Sequence, residues 1–330
     1  MGKGPKVRQH RKRRRQACRS RILNIVITLK YLGAPRMFVE LVLACLFHKS
    51  FKFTKTVDWI EYFAGDREVT EAQLRDGRLA VPYDIKMSPD HMNILTDKGF
   101  LYALFLALNG DDGKGSLAAI VCSTWVYMNS GTSRRCRGRP LGAQSVRSVH
   151  AANVMVARMV LLLLLLHAVG MFFLVEQPRG SLMEKHPSFQ WLLGVVKIWK
   201  KGFLMKNFGA RTEKGTWLYS NHPEVNDIDQ YYIPWHERCC ASNVEMVRKT
   251  VNAAGKLCIN GGRDLKGSQS YPRAFGCAVA KLFTRHQEEF TKRAVELHRA
   301  AWLGTWSPRS GSEDVWCKAE LWSVFQLLLN

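Results

Sequence analysis

No acidic side chain occurs before Glu40, while residues 1–39 carry twelve Lys and Arg, so this arm alone holds +12 of a total formal charge of +22. An uncompensated basic arm directs attention to polyanions, either nucleic acid or an anionic membrane surface. Cys-x-x-Cys is absent, and the nine cysteines have no metal-ligand rhythm, which argues against a zinc ribbon or a dithiol redox pair. With no disulfide framework, the expected setting is reducing: cytosol, nucleus or an organelle matrix. No internal repeat is present, and His186, His222 and His236 show no spacing that suggests a metal. An apolar fraction of 47% and a charged fraction of 23% exclude wholesale disorder and collagen-like structure.

No uninterrupted apolar run reaches the roughly 20 residues of a membrane span. The nearest, Met159 to Val175, is bounded by Arg158 and Glu176 and divided by Gly170. It reads as a helix over Ala151 to Ala168 followed by a buried strand over Met171 to Val175, with a transmembrane helix as the alternative. The earlier apolar run, Ile22 to Phe47, is broken by Lys30, Pro35, Arg36 and Glu40. It reads as one or two amphipathic helices rather than a secretory signal. Arg11-Lys12-Arg13-Arg14-Arg15 also fits a nuclear address, so the protein is expected in nucleus or cytoplasm, with a membrane as the alternative.

What is present is an alternation of strands and helices. Val57 to Phe63 reads as a buried strand closed by Ala64-Gly65, Glu68 to Leu74 as a helix, and Leu79 to Asp84 as a second strand. Gly99 to Asn109 reads as a buried helix and Leu117 to Cys122 as a third strand, with Trp217 to Tyr219 a further one. Ala274 to Ala301 reads as one or two helices. The pattern predicts an α/β fold with a mostly parallel central sheet covered by helices on both faces. The expected organisation is a basic arm with short apolar helices over 1–53, a core over 54–205, and the remainder of the core with a helical end over 206–330.

Polar residues collect where the strands end. Gly65, Asp84, Cys122 and Glu176 each follow such a run, and ligands of open α/β sheets bind outside the carboxyl ends of strands. An acid ending the second strand suits the hydroxyls of a nucleoside ribose. Residues 113–175 also hold seven basic side chains and no acid. Their Gly/Ser/Arg-rich segment, with Arg134, Arg135, Arg137 and Arg139, reads as a loop able to contact phosphates.

In this order the sequence resembles the cytosine-C5 methyltransferases of the S-adenosylmethionine-dependent, Rossmann-like superfamily. Glu61-Tyr62-Phe63-Ala64-Gly65 resembles the family's first motif beside the cofactor, Cys122 the nucleophile of its Pro-Pro-Cys motif, and Glu176 the acid of its Glu-Asn-Val motif. Ile120 and Val121 stand in place of the two prolines, Asp66-Arg67 follow the glycine, and Gln177-Pro178 follow the acid. Arg211 to Trp217 is a loose counterpart of the later Gln-x-Arg-x-Arg pattern. Arg179 to Met183, His186-Pro187 and Gln269 to Pro272 resemble divergent methyltransferase-like proteins of unicellular eukaryotes.

The resemblance implies a Rossmann-like methyltransferase fold with S-adenosylmethionine as cofactor. Glu61, Phe63, Gly65 and Asp84 would then shape the cofactor pocket, and nucleic acid would be the substrate. Cys122 would add to C6 of a cytosine while Glu176 shares a proton at N3, making C5 nucleophilic toward the methyl group. A relative that has lost turnover but still binds nucleic acid shares all of these features.

Overall fold

Two short helices open the described part of the chain in the computed structural model, which describes residues 19–49, 51–238, 244–253, 255 and 257–302. They are α1 over residues 19–31 and α2 over Arg36–Phe47, and they bury Leu29, Phe38 and Val42 among others. The chain then alternates: β1 Trp59–Tyr62, α3 Glu68–Arg75, β2 Ala80–Tyr83, α4 Asp97–Asn109, β3 Gly115–Ala118, a single turn α5 Ser130–Ser133, α6 Arg147–Val169 and β4 Phe172–Pro178. Next come α7 Pro187–Val195, β5 Trp199–Leu204, β6 Gly215–Ser220, a hairpin of β7 Val247–Val251 with β8 Leu257–Gly261, and α8 Arg273–Trp302.

The main sheet has six strands in the order β2-β1-β3-β4-β6-β5. β2, β1, β3 and β4 run parallel, and β6 lies antiparallel between β4 and β5. The fold is therefore mixed α/β with a mostly parallel sheet, as the alternation of runs predicts. Alternate residues on each strand face opposite layers. Tyr62 and Tyr83 donate from their hydroxyls to the Ala103 and Gly99 carbonyls of α4. Trp59, Leu117, Phe172 and Leu174 pack instead with Phe275, Val279, Leu282 and Phe283 of α8. Each such large apolar side chain removed from water contributes about 1.5–3 kcal/mol before ordering costs. By contacts the chain divides into residues 1–287 and 288–330. In the second unit only 288–302, helical throughout, is described.

The apolar run 159–175 resolves into the end of α6 and the start of β4, parted at Gly170. α6 is long and apolar enough to cross a membrane by length and composition, with mean hydropathy 2.1 in its most apolar window, 61% of which is buried. It packs on α4, α7 and β4.

Two expectations need correction. β3 stops at Ala118 rather than Cys122, because its neighbour β1 ends at Tyr62 and turns away through a left-handed Phe63. β5 was not anticipated, since Trp199-Lys200-Lys201-Gly202 has the charge of an edge strand, where lysines block further pairing.

Gly170 (φ 88) ends α6 in the left-handed conformation, and a Cβ there would lie 2.3 Å from Asp112 Oδ1. Gly170→Ala should lower unfolding stability by about 1–3 kcal/mol, read from denaturant titration.

Candidate functional site

The strand order reverses between β1 and β3, the topological switch point at which open α/β sheets leave a crevice. A cavity of about 600 Å³ lies there, walled by the segments that leave the carboxyl ends of β1, β2, β3 and β4. Its remaining walls come from Lys214, just before β6, and from Leu265 and Tyr271, before α8. That volume is typical of a small-molecule site.

The β1 wall is a tightly wound loop. Phe63, Gly65 and Arg67 all have positive φ, at 61°, 54° and 62°. Left-handed backbone at non-glycine residues costs on the order of 1 kcal/mol each and persists only where neighbours enforce it. Here the Tyr83 carbonyl accepts from the Phe63 and Ala64 amides at 2.7 and 3.3 Å. Asp84 accepts from the Gly65 amide at 2.9 Å through one oxygen and from the Lys86 amide at 2.8 Å through the other. Asp84 thus lines the cavity and also ties two loops together. A Cβ at Gly65 would meet nothing within 4 Å, so a side chain there would project into open space.

Glu61 is the one member of the expected cofactor set outside the cavity lining. Alternation along β1 turns it toward α3, where it is fully buried and Thr70 donates to it from both amide and hydroxyl. It caps the first turn of α3. Burial raises its carboxyl from an ordinary 4.5 to about 7, against the pull of those hydrogen bonds.

Cys122 and Glu176 do share the cavity. Cys122 lies on an irregular segment held by Gln177, whose amide donates to the Ile120 carbonyl at 2.6 Å and accepts from the Ser181 hydroxyl at 2.9 Å. Glu176 is buried; Tyr271 donates to its Oε2 at 3.0 Å, and Lys214 Nζ sits 3.3 Å from its Oε1. Burial pushes the Cys122 thiol up, the Lys214 ammonium pulls it down, and the Glu176 carboxylate pushes it up again. The thiol is raised overall, because burial outweighs the pull of Lys214. Sequence reading missed Gln177, Lys214 and Tyr271. The loose arginine-motif counterpart over Arg211 to Trp217 holds Lys214, and the Gln269 to Pro272 segment holds Tyr271.

The arginine cluster divides. Arg134, Arg137 and Arg139 are exposed, on the continuation of the segment whose Met128 and Asn129 line the cavity. Arg135 is a correction: it is 3% exposed and stacks on Trp125 at 3.4 Å. It also donates to the Asn153 side chain and the Pro140 and Val149 carbonyls. Those partners commit it to the interior and remove it from any phosphate contact. Lys114 and Arg158 of the same acid-free stretch are likewise engaged, with Asp58 and Asp97.

Two outcomes follow from these environments. Between about pH 4.5 and 7 folded Glu61 keeps a proton that the unfolded chain releases, so its contribution to stability falls as pH rises through that window. Glu61→Gln cannot ionise, so its stability relative to the parent should improve from pH 5 to pH 8 by on the order of 2–3 kcal/mol, measured by urea unfolding at each pH. Alkylation of Cys122 by iodoacetamide, followed by peptide mass spectrometry, should accelerate only above the ordinary thiol range. Glu176→Gln should move that rise to lower pH and Lys214→Met to higher pH. No family model matches this chain, and no curated protein or solved structure matches it either.

Proposed function

We propose that the protein is a divergent S-adenosylmethionine-dependent methyltransferase with a Rossmann-like core, acting on a cytosine base of nucleic acid. One observation carries the reading. Phe63, Gly65, Asp84, Cys122 and Glu176, expected from separate stretches of sequence, line a single cavity at the sheet's switch point. Fit to the cofactor is supported by the open space at Gly65, the left-handed Phe63 and Gly65 of the loop, and the apolar Ile120, Val126 and Met128 in the lining. The cofactor would supply an electrophilic methyl carbon. Phe63 and Gly65 would hold it, and Asp84 would keep their loop in shape.

With its thiol proton lost to solvent, Cys122 would add through sulfur to C6 of the base as the C5–C6 double bond opens, while a protonated Glu176 gives its proton to N3. C5 would take up the methyl carbon as that carbon's bond to the sulfonium sulfur breaks. Loss of the C5 proton to water would re-form the double bond and expel the Cys122 thiolate, with the N3 proton returning to Glu176. Lys214 would stabilise the Cys122 thiolate before attack and the negative charge that passes to the ring as the bond to C6 forms, and Tyr271 would fix the Glu176 carboxyl. A base held in a duplex would have to be flipped out to reach this pocket, while Arg134, Arg137 and Arg139 contact phosphates outside it. A second reading, a relative that binds nucleic acid without turnover, is favoured by the burial that pushes the Cys122 thiol up.

Calorimetry with S-adenosylmethionine should show one site, lost in Gly65→Val; absence of binding at millimolar ligand rejects the cofactor assignment. Labelled methyl transfer to DNA or RNA should fall at least a hundredfold in Cys122→Ala. Transfer at the parent rate rejects Cys122 as nucleophile, and cofactor binding with no transfer in the parent selects the second reading. Replacing Arg134, Arg137 and Arg139 by Ala should weaken nucleic-acid binding and reduce the slope of log K against log salt by up to about three.

A further inference from the structure

A second cluster lies at the other end of the sheet, outside the cavity. β6 runs antiparallel to β4, so its end, Ser220, pairs with Leu174 near the beginning of β4, and the chain continues into His222. The following 3-10 segment, Pro223–Tyr231, carries Glu224. α8 brings in His286, which stacks on Phe172 with ring centroids 4.7 Å apart. Nδ1 of His222 lies 3.8 Å from one oxygen of Glu224, and Nδ1 of His286 lies 3.8 Å from the other. One ligand atom from each of the three residues falls within a 4.8 Å span.

We propose that His222, Glu224 and His286 form a binding site for a divalent transition-metal ion, zinc being the ion that suits them best. Two imidazoles and a carboxylate form a three-ligand set that zinc accepts with a fourth position left for water. Ligand atoms about 2.0–2.1 Å from a tetrahedral ion stand about 3.4 Å apart, closer than the two 3.8 Å contacts, which reach different oxygens of Glu224, and closer than the 4.8 Å limit of the whole set. Torsions that draw both imidazoles toward Glu224, with its carboxylate ligating through either or both oxygens, would complete the site.

Charge and access agree with the assignment. Glu224 and His286 are buried, and His222 keeps a quarter of its side chain exposed as an entry path. Asp112 is near enough to His286 for their charges to interact, which adds negative potential on that side of a bound cation. The spacing of histidines in the sequence concealed the group, because one ligand is a glutamate and the third comes from a distant helix. Bound there, the ion would fasten α8 near residue 286 to the end of β6.

The test uses the untagged full-length protein, stripped with a chelator and dialysed against micromolar zinc. One equivalent should bind, with a rise in Tm of several degrees. Zinc X-ray absorption should show only nitrogen and oxygen neighbours at about 2.0–2.1 Å. His222→Gln and Glu224→Gln should each weaken zinc binding at least tenfold with an unchanged circular dichroism spectrum. His222→Gln, at the open side, decides the matter if the buried Glu224→Gln fails to fold. Absence of stoichiometric binding by the parent, sulfur among the neighbours, or parental affinity in a folded His222→Gln each overturns the proposal.

Discussion

A strand with protein on both faces and on both edges has no freedom to slip, and β4 is the longest of the strands so placed here. Its residues Phe172 to Gln177 are buried without interruption, and its backbone is shared between β3 on one side and β6 on the other. Shifting it by one position would turn Phe172, Leu174 and Glu176 into the α4–α6 layer and Phe173, Val175 and Gln177 toward α8. The register therefore sets which layer receives the charge. It points Glu176 toward Tyr271 and Lys214, while Gln177 reaches back to the segment carrying Cys122. The sharp return at Gly170 is what feeds α6 into this strand.

Much of this was legible from local patterns. The run closed by Asp84 marks the end of β2, and Glu176 lies near the end of β4, which continues to Pro178; a charged group near the end of a buried strand has few places to go except a crevice. Glu61 misled because a motif was read as one unit, whereas strand alternation sends neighbouring residues to opposite layers. Arg135 misled because a run of arginines in a Gly/Ser-rich stretch resembles a solvated loop, and nothing local announces the Trp125 ring beneath one of them. Lys214 and Tyr271 lay within segments that drew notice without being singled out, and His286 drew none, for another reason. Each meets its partners through long-range packing that has no period in the sequence.

The net charge also takes on a spatial meaning. Of the arm's basic residues, those in 1–18 lie outside the described residues, as does the Arg11–Arg15 run. In the body, the side chains that look basic in sequence are partly consumed by Asp58, Asp97 and the Trp125 ring, while the cavity itself is lined by acids and bases in near balance. Under the proposed function, attracting a polyanion and selecting what enters the pocket would be tasks for different residues.

The loop from Phe63 to Arg67 has one more implication. Of its three left-handed residues, Phe63 is held by the Tyr83 carbonyl, Gly65 by Asp84 and Arg67 by the Ala64 carbonyl, all contacts made within the protein. The entropy of shaping that wall is spent during folding, so a ligand meets a surface already in place. Capture there would be governed by diffusion and desolvation rather than by waiting for the loop to rearrange.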